Sequence, residues 1–419
     1  MSSILARLLI ILGVMALIGL SLSFRLGGMS PSDFIDASPN QLPKTWQVAH
    51  PESLIKQAQQ ALEQNDPAKA QTLTIKALGK NITSGLAIGQ LAHIAIQQHQ
   101  PEAVINKLAE YSIKLWPAYI LTRAQVADYW VKQGKLDKAL EAWHVIMVRA
   151  PVSQPTINPI LEQLAVNSAT IGLLQPYSAT HPTWWNSFFS YMAANTESLV
   201  TLNTLYEMRA SSETPIALVE RNAYVNRLLK EELWQDAYFI WLSGLTEKQL
   251  TLSGLIYDGG FESNESNTGF DWMIDSSPTF KIEKTPVTGM KGQKALHLIL
   301  YDRTRIHFSH ITQRMLLSPG YYQSTLRVRV DRLQTIEGLR WRVRCINSTN
   351  TLLGESSPIK ERSIWTELNF NFQVPAENCP VQIYRLEASS PYSQNHLFKG
   401  SLWFDDLQIR RQENKENTL

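Results

Sequence analysis

The spacing of apolar residues changes along this chain of 419 residues. From Ile4 to Phe24 the residues are almost all apolar, and about 20 such residues suffice for a helix to cross a bilayer. From Pro51 to about Leu252 the apolar positions recur at helical spacing. Beyond Leu252, short runs alternate apolar and polar residues between turn sequences such as Asp258-Gly259-Gly260. The pattern therefore predicts an apolar N-terminal helix, a helical domain and a β domain.

These changes of pattern set the domain boundaries that we expect. Arg7 followed by the apolar run Leu8–Leu22 fits a secretory signal as well as a membrane anchor, and we adopt the anchor as the working interpretation. The glycine, proline and serine residues that follow indicate an extended linker. In chain order, the expected domains are a transmembrane anchor or signal segment (1–25), a linker (26–50), a helical repeat domain (51–252), a β-sandwich (253–412) and a polar tail (413–419).

The helical region contains a repeat. The segments 66–70, 100–104 and 135–139 align with one another at a spacing of about 34 residues, which is the tetratricopeptide period. The third unit resembles that repeat at its small, aromatic, turn and terminating-proline positions, which are Ala127, Trp130, Gly134, Ala139, Trp143 and Pro151. The resemblance implies a TPR-like α-solenoid of about five or six helix pairs, whose concave surface would dock a protein partner. A passive spacer is the alternative.

Both cysteines lie in the C-terminal third of the chain. Cys345 ends the alternating run that begins at Arg340, and Cys379 lies just before a second run that begins at Val381. Two strand-associated cysteines can pair across a sheet, closing a loop of about 35 residues and adding about 3 to 4 kcal/mol of stability. Such a disulfide requires an oxidising compartment. Two independent buried thiols are the alternative.

Two parts of the β region resemble a known family. They are Tyr257–Glu262, which is followed by Gly269–Trp272, and Trp403–Ile409 near the C-terminus. These segments resemble the opening and closing strands of jelly-roll carbohydrate-binding modules of the galactose-binding-like class. The resemblance covers residues 255–411 and implies a jelly-roll β-sandwich. It does not by itself specify a ligand, because many members of this fold bind no sugar.

The same resemblance implies a structural calcium ion. In such modules carboxylate and carbonyl oxygens near the ends of the sheets often hold this ion, and Glu262 and Asp405 are the candidate ligands here. Alternation along the closing strand places Asp405 on the face of Trp403 and Leu407, so its carboxylate is expected to be buried and to need donors or a cation. Backbone hydrogen bonds without a metal are the alternative. No other cofactor is expected.

Glycan recognition uses an aromatic ring against the apolar face of a sugar, with hydrogen-bonding groups beside it. Trp272, Tyr301, Tyr384 and Tyr392 lie in or beside expected loops and are the candidate platforms. For each of them, packing in the core or at its rim is the alternative.

Arginines alternate with apolar residues in three separate runs of the β region. The runs carry Arg303, Arg305 and His307; Arg327 and Arg329; and Arg340, Arg342 and Arg344. Alternation directs the cations of each run to one face of a strand. If these strands neighbour one another in one sheet, the arginines form a basic patch for carboxylate, sulfate or phosphate groups. The alternative is a solvated face on which they pair with acids such as Asp302, Asp331 and Glu337.

Composition and motifs narrow the classes of function. With 44% hydrophobic and 18% charged residues, the chain can bury substantial cores. Its 39 basic and 37 acidic residues nearly balance, which argues against a nucleic-acid partner. The sequence lacks a phosphate-binding loop, a nucleophile elbow and the paired metal-ligand motifs, so we do not expect an enzyme.

Together these features predict a non-enzymatic adaptor held in the inner membrane by a single pass, with the bulk of the chain periplasmic or otherwise extracytoplasmic. The helical repeats would dock a protein partner, and the sandwich would bind glycan or envelope polysaccharide. The architecture resembles bacterial envelope proteins associated with exopolysaccharide production or export. Two alternatives remain open: a purely structural protein–protein scaffold of an envelope or secretion complex, and a polysaccharide-processing enzyme.

Overall fold

The computed structural model describes residues 51–115, 120–264, 266–347, 349–361 and 363–413. These residues form a helical region followed by two antiparallel β-sheets. Across the described ranges, no helix is both long enough and apolar enough to cross a bilayer. The expected anchor at Ile4–Phe24 and the linker at 26–50 lie outside them. Both therefore stay predictions.

The described chain forms two compact units. The first comprises 51–176 together with Pro182–Trp184, and the second comprises Tyr177–His181 and 185–413. The change from helix to strand falls inside the second unit, between a last helix that ends at Leu250 and a first strand that begins at Met273.

Paired helices build the first unit. Its helices α1 to α7 span Pro51–Glu63, Pro67–Lys80, Gly85–Gln97, Glu102–Leu115, Ile120–Lys132, Leu136–Arg149 and Gln154–Val166. Helices α1 and α2, α3 and α4, and α5 and α6 pack against each other as pairs. The predicted helical array is thus present, while its assignment as a tetratricopeptide repeat stays a prediction.

Local sequence explains where these helices start and why they pack closely. Asp66 precedes α2 and accepts a hydrogen bond from the Lys69 backbone N–H at 3.0 Å, as a helix-capping carboxylate does. Gly134 lies between α5 and α6 with φ 69°, a conformation that suits glycine. Ala127 and Ala139 are fully buried. Their small side chains let the paired helices approach each other.

The second unit begins with helices that contain a buried ion pair. Helices α8 to α13 span Gln175–Thr180, Trp185–Asn195, Leu199–Ala210, Leu218–Lys230, Trp234–Leu242 and Glu247–Leu250, and the first two residues of α8 belong to the first unit. Arg209 donates from Nε to Glu220 Oε1 at 2.8 Å, and both side chains are inaccessible to solvent. Trp185 Nε1 donates to the same carboxylate oxygen at 2.8 Å. The pair satisfies most of its polar atoms internally, as a buried pair must.

Helix α12 packs directly against the loop that leads into the β-sandwich. The Trp241 ring meets the rings of Tyr257 and Phe270 at centroid distances of 5.1 and 5.8 Å. Gly269 has φ 62°, and a Cβ there would lie 2.5 Å from Trp241 Cδ1. Only glycine therefore fits between this indole and the loop. Helix α12 and the loop ahead of the first strand share this aromatic cluster.

Ten strands follow. Strands β1 to β10 span Met273–Ile274, Phe280–Thr285, Ala295–Arg305, Ile311–Met315, Gly320–Gln334, Leu339–Cys345, Leu352–Glu355, Ser363–Val374, Gln382–Ala388 and Leu397–Gln412. The first sheet has the order β1-β4-β9-β6-β7 and the second sheet has the order β2-β3-β10-β5-β8. Inward-facing residues of both sheets form one hydrophobic core, which includes Leu298, Trp341 and Phe404. The predicted β-sandwich is therefore present.

The structure pairs the two cysteines. Cys345 at the end of β6 forms a disulfide with Cys379 in the loop between β8 and β9. The bridge closes a loop across a sequence separation of 34 residues within the sandwich. A covalent loop of this length stabilises the fold chiefly by restricting the unfolded chain.

The expected opening strand at Tyr257–Glu262 is instead a turn. Asp258 and Phe261 have φ of 45° and 57°, in the left-handed region and outside the extended range of a regular strand. The buried Asp258 carboxylate accepts hydrogen bonds from the backbone N–H groups of Glu262 and Ser263 at 2.8 and 3.1 Å. An aspartate side chain that accepts hydrogen bonds from the backbone of the next residues stabilises a turn in this way.

Candidate functional site

The outer face of the second sheet carries a row of aromatic and cationic side chains. His297 on β3 pairs in register with Trp403 on β10, and Trp403 pairs with Arg329 on β5. Their neighbours along each strand, such as Leu298, Phe404 and Val328, point into the core. Because successive side chains of a strand alternate between faces, the three residues of the row face outward together.

The indole of Trp403 contacts side chains of both neighbouring strands. The His297 imidazole stacks on it with ring centroids 4.1 Å apart and planes 9° apart. The guanidinium carbon of Arg329 lies 5.3 Å from the indole centroid. His297 and Arg329 reach the ring from the strands on either side of β10, so the indole has little freedom to rotate. Burial lowers the pKa of His297 below its ordinary value, which favours a neutral imidazole near pH 7.

A second indole lies at the edge of the same sheet. Arg327 on β5 places its guanidinium carbon 5.0 Å from the centroid of Trp365 on β8. Trp365 Nε1 donates to the Thr288 carbonyl at 2.9 Å, and Arg329 Nη1 donates to the same carbonyl at 3.4 Å. Gly289 has φ 85° and leaves room for the indole, since a Cβ there would lie 2.8 Å from Trp365 Cδ1. One turn thus anchors both parts of the row.

We call His297, Arg327, Arg329, Trp365 and Trp403 the indole–arginine row. Neither of its guanidinium groups forms an ion pair with any residue in the described ranges. The interaction of a guanidinium group with an indole ring contributes about 0.5 to 2 kcal/mol. Because the group stacks through its planar face, the N–H groups at its edge stay available for hydrogen bonds. The row combines ring surface and positive charge on one solvent-facing surface.

Tyr301 retains the surface position that a sugar platform needs. It lies on β3, on the same face as His297, and 45% of its surface is exposed. Arg303 and Arg305 follow it on the same strand, and Arg305 is exposed. The Arg303 side chain is outside what the structure describes. Tyr301 therefore stays a candidate next to the row.

Trp272 and Tyr384 were wrongly placed at the surface, because both are fully buried in the sandwich core. Trp272 Nε1 donates to the Asp258 carbonyl at 3.1 Å, and the Tyr384 hydroxyl makes a 2.8 Å hydrogen bond with Ser324 Oγ. Burial raises the pKa of Tyr384 above its ordinary value. The core-packing alternative therefore describes both residues, and neither presents a ring to a ligand.

The three arginine runs do not form one basic patch. Strands β3 and β5 belong to the second sheet, whereas β6 with Arg340 and Arg342 belongs to the first. On the first sheet Arg340 and Arg342 both pair with Glu355, and Arg342 Nη1 also lies 3.0 Å from Glu387 Oε2. This is the paired-acid alternative, with Glu355 and Glu387 supplying the acids.

Glu387 is the centre of that ion-pair network. Its carboxylate accepts hydrogen bonds from Arg342, Arg344 and Arg385 at distances of 2.6 to 3.2 Å. Burial disfavours the charged carboxylate, but the hydrogen bonds from Arg344 and Arg342 and the charge of Arg385 outweigh it and hold the pKa of Glu387 below its ordinary value. These arginines are committed to structure.

The proposed calcium ligands instead bind backbone amides. Asp405 accepts the N–H groups of Lys291 and Asp406 at 2.6 and 2.7 Å, one on each carboxylate oxygen. Glu262 Oε1 accepts the N–H of Gln293 at 2.7 Å. These contacts are the backbone hydrogen bonds of the alternative. The calcium ion stays a prediction.

A bulge explains why the alternation argument failed in part for Asp405. The strand register shifts between Asp405 and Gln408, and Asp406 has φ 52°. Trp403 therefore faces outward while Leu407 returns to the core, although the expected alternation put both on one face. Asp405 is buried, as predicted, and burial raises its pKa despite hydrogen bonds from the backbone.

His297, Trp365 and Trp403 were missed as site residues. The sequence signal for Trp403 was its position between Leu402 and Phe404, which both lie in the core. Alternation along the strand then directs the indole to the outer face. The pairing of Trp403 with Arg329 depends on strand order, and local sequence does not contain it.

The chain matches no protein-family model and no curated protein. Among solved structures, it is similar to one described as "CBM4 structure and function", with 14% identity over 38% of this chain and 99% of that chain and a TM-score of 0.28. It is also similar to the CBM22-1 xylan-binding domain of Paenibacillus barcinonensis Xyn10C, with 12% identity over 36% of this chain and 91% of that chain and a TM-score of 0.25. These values are too low to establish a common fold or function, and the two-sheet architecture rests on its own strand pairings.

Proposed function

We propose that the sandwich binds a glycan on the outer face of its second sheet. The observation that carries this proposal is the indole–arginine row, in which two partly exposed indoles lie on one outer face with two guanidinium groups that form no ion pair among the described residues. Aromatic rings supply apolar contact to sugar rings, and guanidinium groups supply hydrogen bonds to their oxygens. Tyr301 on the same face adds an exposed ring.

In this proposal the protein is a non-enzymatic adaptor. The N-terminal segment tethers it to the inner membrane with the bulk of the chain outside the cytoplasm, the helices dock a protein of an envelope assembly, and the sandwich contacts envelope polysaccharide. The disulfide Cys345–Cys379 supports an oxidising compartment, because such bridges persist there and are rare in the cytosol.

Affinity electrophoresis and calorimetry with the detergent-solubilised full-length chain test glycan binding. A panel of neutral and acidic polysaccharides is titrated against the parent, Trp403→Ala and Phe239→Ala. Phe239 lies on helix α12 with 64% of its surface exposed, so its substitution controls for loss of an aromatic surface elsewhere. We expect Trp403→Ala to weaken binding about tenfold, in line with the loss of ring contacts of about 1 kcal/mol or more. Absence of binding to the whole panel would refute the proposal.

Docking of a protein partner is the second candidate function, and a cleft in the first unit favours it. The cleft has a volume of about 310 Å³ and lies between α1, α3 and α5. Its lining includes Gln59, Gln90, His93, Gln97 and Gln125. Side-chain amides offer both donors and acceptors to an extended peptide backbone.

Gln90 gives this docking proposal a specific test. Its Oε1 atom is buried and has no hydrogen-bond partner among the residues that the structure describes. A peptide N–H in the cleft would satisfy it. A photo-crosslinking residue at Gln97 should capture one specific partner from envelope extracts, and Gln90→Ala should reduce that capture. Capture that is unchanged by Gln90→Ala would argue against the cleft, and docking without glycan binding would favour the pure scaffold.

A further inference from the structure

We infer that the indole–arginine row selects glycans that carry carboxylate or sulfate groups, with Arg327 and Arg329 as the residues that bind the anion. This inference rests on the proposed glycan-binding function and narrows it to acidic polymers. It is drawn from the contrast between the two sheets, from the way the two guanidinium groups are held, and from the charges around them.

The two sheets treat their arginines differently. On the first sheet Arg340, Arg342 and Arg344 form ion pairs with two glutamates. On the second sheet neither Arg327 nor Arg329 forms an ion pair within the described ranges, although the charge of Asp405 interacts with Arg327. A guanidinium group without an ion pair can bind an external anion, and its planar fork matches a carboxylate or sulfate.

Stacking on the indoles orders the guanidinium groups of Arg327 and Arg329 before an anion binds. Arg327 and Arg329 are two residues apart on β5, so their side chains leave the same face about 7 Å apart. The indoles of Trp365 and Trp403 limit their rotation, and the Thr288 carbonyl fixes one donor of Arg329. A side chain that is already ordered loses less conformational entropy on binding an anion.

Two acids lie in register with Arg327, but neither forms an ion pair with it. Glu367 is the register partner of Arg327 on β8, yet the two form no ion pair. Asp405 lies beside Arg327 in register and its charge interacts with the guanidinium group, while its oxygens accept backbone N–H groups. Other charges on the face pair with each other, as Lys281 does with Glu283 and Arg332 does with Asp331. Among the described residues, no carboxylate accepts a hydrogen bond from Arg327 or Arg329, so both guanidinium groups keep donors for an external anion.

The test uses two matched polymer pairs: polygalacturonate with its fully methyl-esterified form, and dextran sulfate with dextran. The full-length chain in detergent is titrated with each by calorimetry, alongside Arg327→Gln/Arg329→Gln and the control Arg149→Gln. Arg149 is an exposed arginine in the last turn of α6 and controls for loss of charge. We expect tighter binding to the acidic member of a pair. The double variant should lose about 10- to 100-fold of that affinity, as hydrogen bonds to charged groups predict, and change binding of the neutral member less than twofold.

The outcomes separate this inference from the proposed function. Equal binding of acidic and neutral members would overturn the acidic preference while glycan binding stands. A preference for acidic polymers that survives the double glutamine variant would overturn the role of this arginine pair. Binding of dextran sulfate alone would support the inference with sulfate as the recognised group.

A second variant guards against misfolding. Arg327→Lys/Arg329→Lys keeps both charges but loses the planar fork, and its thermal melt should match that of the parent. We expect this variant to bind polygalacturonate more weakly than the parent and more tightly than the glutamine variant. Raising the salt concentration should weaken acidic binding by the parent and have less effect on the glutamine variant, because salt screens exposed charges.

Discussion

Replacing Glu387 with glutamine should expose how strongly the outer face of the first sheet depends on one carboxylate. Glu387 accepts hydrogen bonds from Arg342, Arg344 and Arg385, and its side chain is 11% exposed. The substitution Glu387→Gln keeps the shape, removes the charge and turns one acceptor atom into a donor. Three arginines would then converge on a neutral amide.

The size of the effect follows from those contacts. Hydrogen bonds to charged groups contribute about 1.5 to 3 kcal/mol each, but bonds that share one carboxylate do not add. Solvent at the sheet surface also screens part of the charge. We therefore expect the free energy of unfolding to fall by about 3 kcal/mol, which corresponds to about 6 to 12 °C in Tm for a unit of this size. The matched control is Glu367→Gln, an exposed acid without an ion pair among the described residues, for which we expect less than about 0.5 kcal/mol.

The pH dependence gives an independent check. The pKa of Glu387 is lower in the folded chain than its ordinary value of 4.5. Its stabilising contribution is therefore present above that ordinary value and is lost as pH falls through the folded pKa. Urea unfolding followed by tryptophan fluorescence should show a large difference between parent and Glu387→Gln at pH 7 that shrinks below about pH 4.5. Equal stability of the two glutamine variants at pH 7, or a difference that persists unchanged in acid, would refute this account.

Three further predictions concern the core and the buried pairs. Changing Cys345 and Cys379 together to serine should lower the free energy of unfolding by about 3 to 4 kcal/mol in urea titrations, and a reductant should then have no further effect. Trp272→Phe removes a buried hydrogen bond to Asp258 and should cost about 1 to 3 kcal/mol while leaving glycan affinity unchanged; a selective loss of affinity would restore it as a platform. Glu220→Gln should cost about 3 to 5 kcal/mol because it leaves Arg209 buried without its partner, and Arg209→Met/Glu220→Leu should recover much of this in thermal unfolding; no recovery would contradict the pairing argument.

The succession of helices and strands was visible in local sequence. Strands such as β5 and β6 appear where apolar and polar residues alternate, and buried alanines such as Ala127 and Ala139 appear where helices cross. Both signals come from residues a few positions apart, so no knowledge of distant contacts is needed. The helical array and the sandwich were predictable for this reason.

The candidate site was only partly predictable, because it depends on strand order and on local irregularities. Arg327 and Arg340 carry similar patterns, yet one stacks on an indole in the second sheet and the other pairs with Glu355 in the first. The bulge after Asp405 reverses the facing of the residues beyond it. Trp272 looked like a loop aromatic but fills the core. Sheet assignment is a long-range property that alternation within one strand does not encode.

The contacts of Trp241 also determine where this protein can be divided. A fragment that starts at Ser253 would strip the indole from Tyr257 and Phe270 and leave two aromatic rings facing water. Recombinant work on the β-sandwich should therefore begin upstream of the preceding helices, near Tyr177, so that the fragment keeps helix α12 and its contacts with Tyr257 and Phe270.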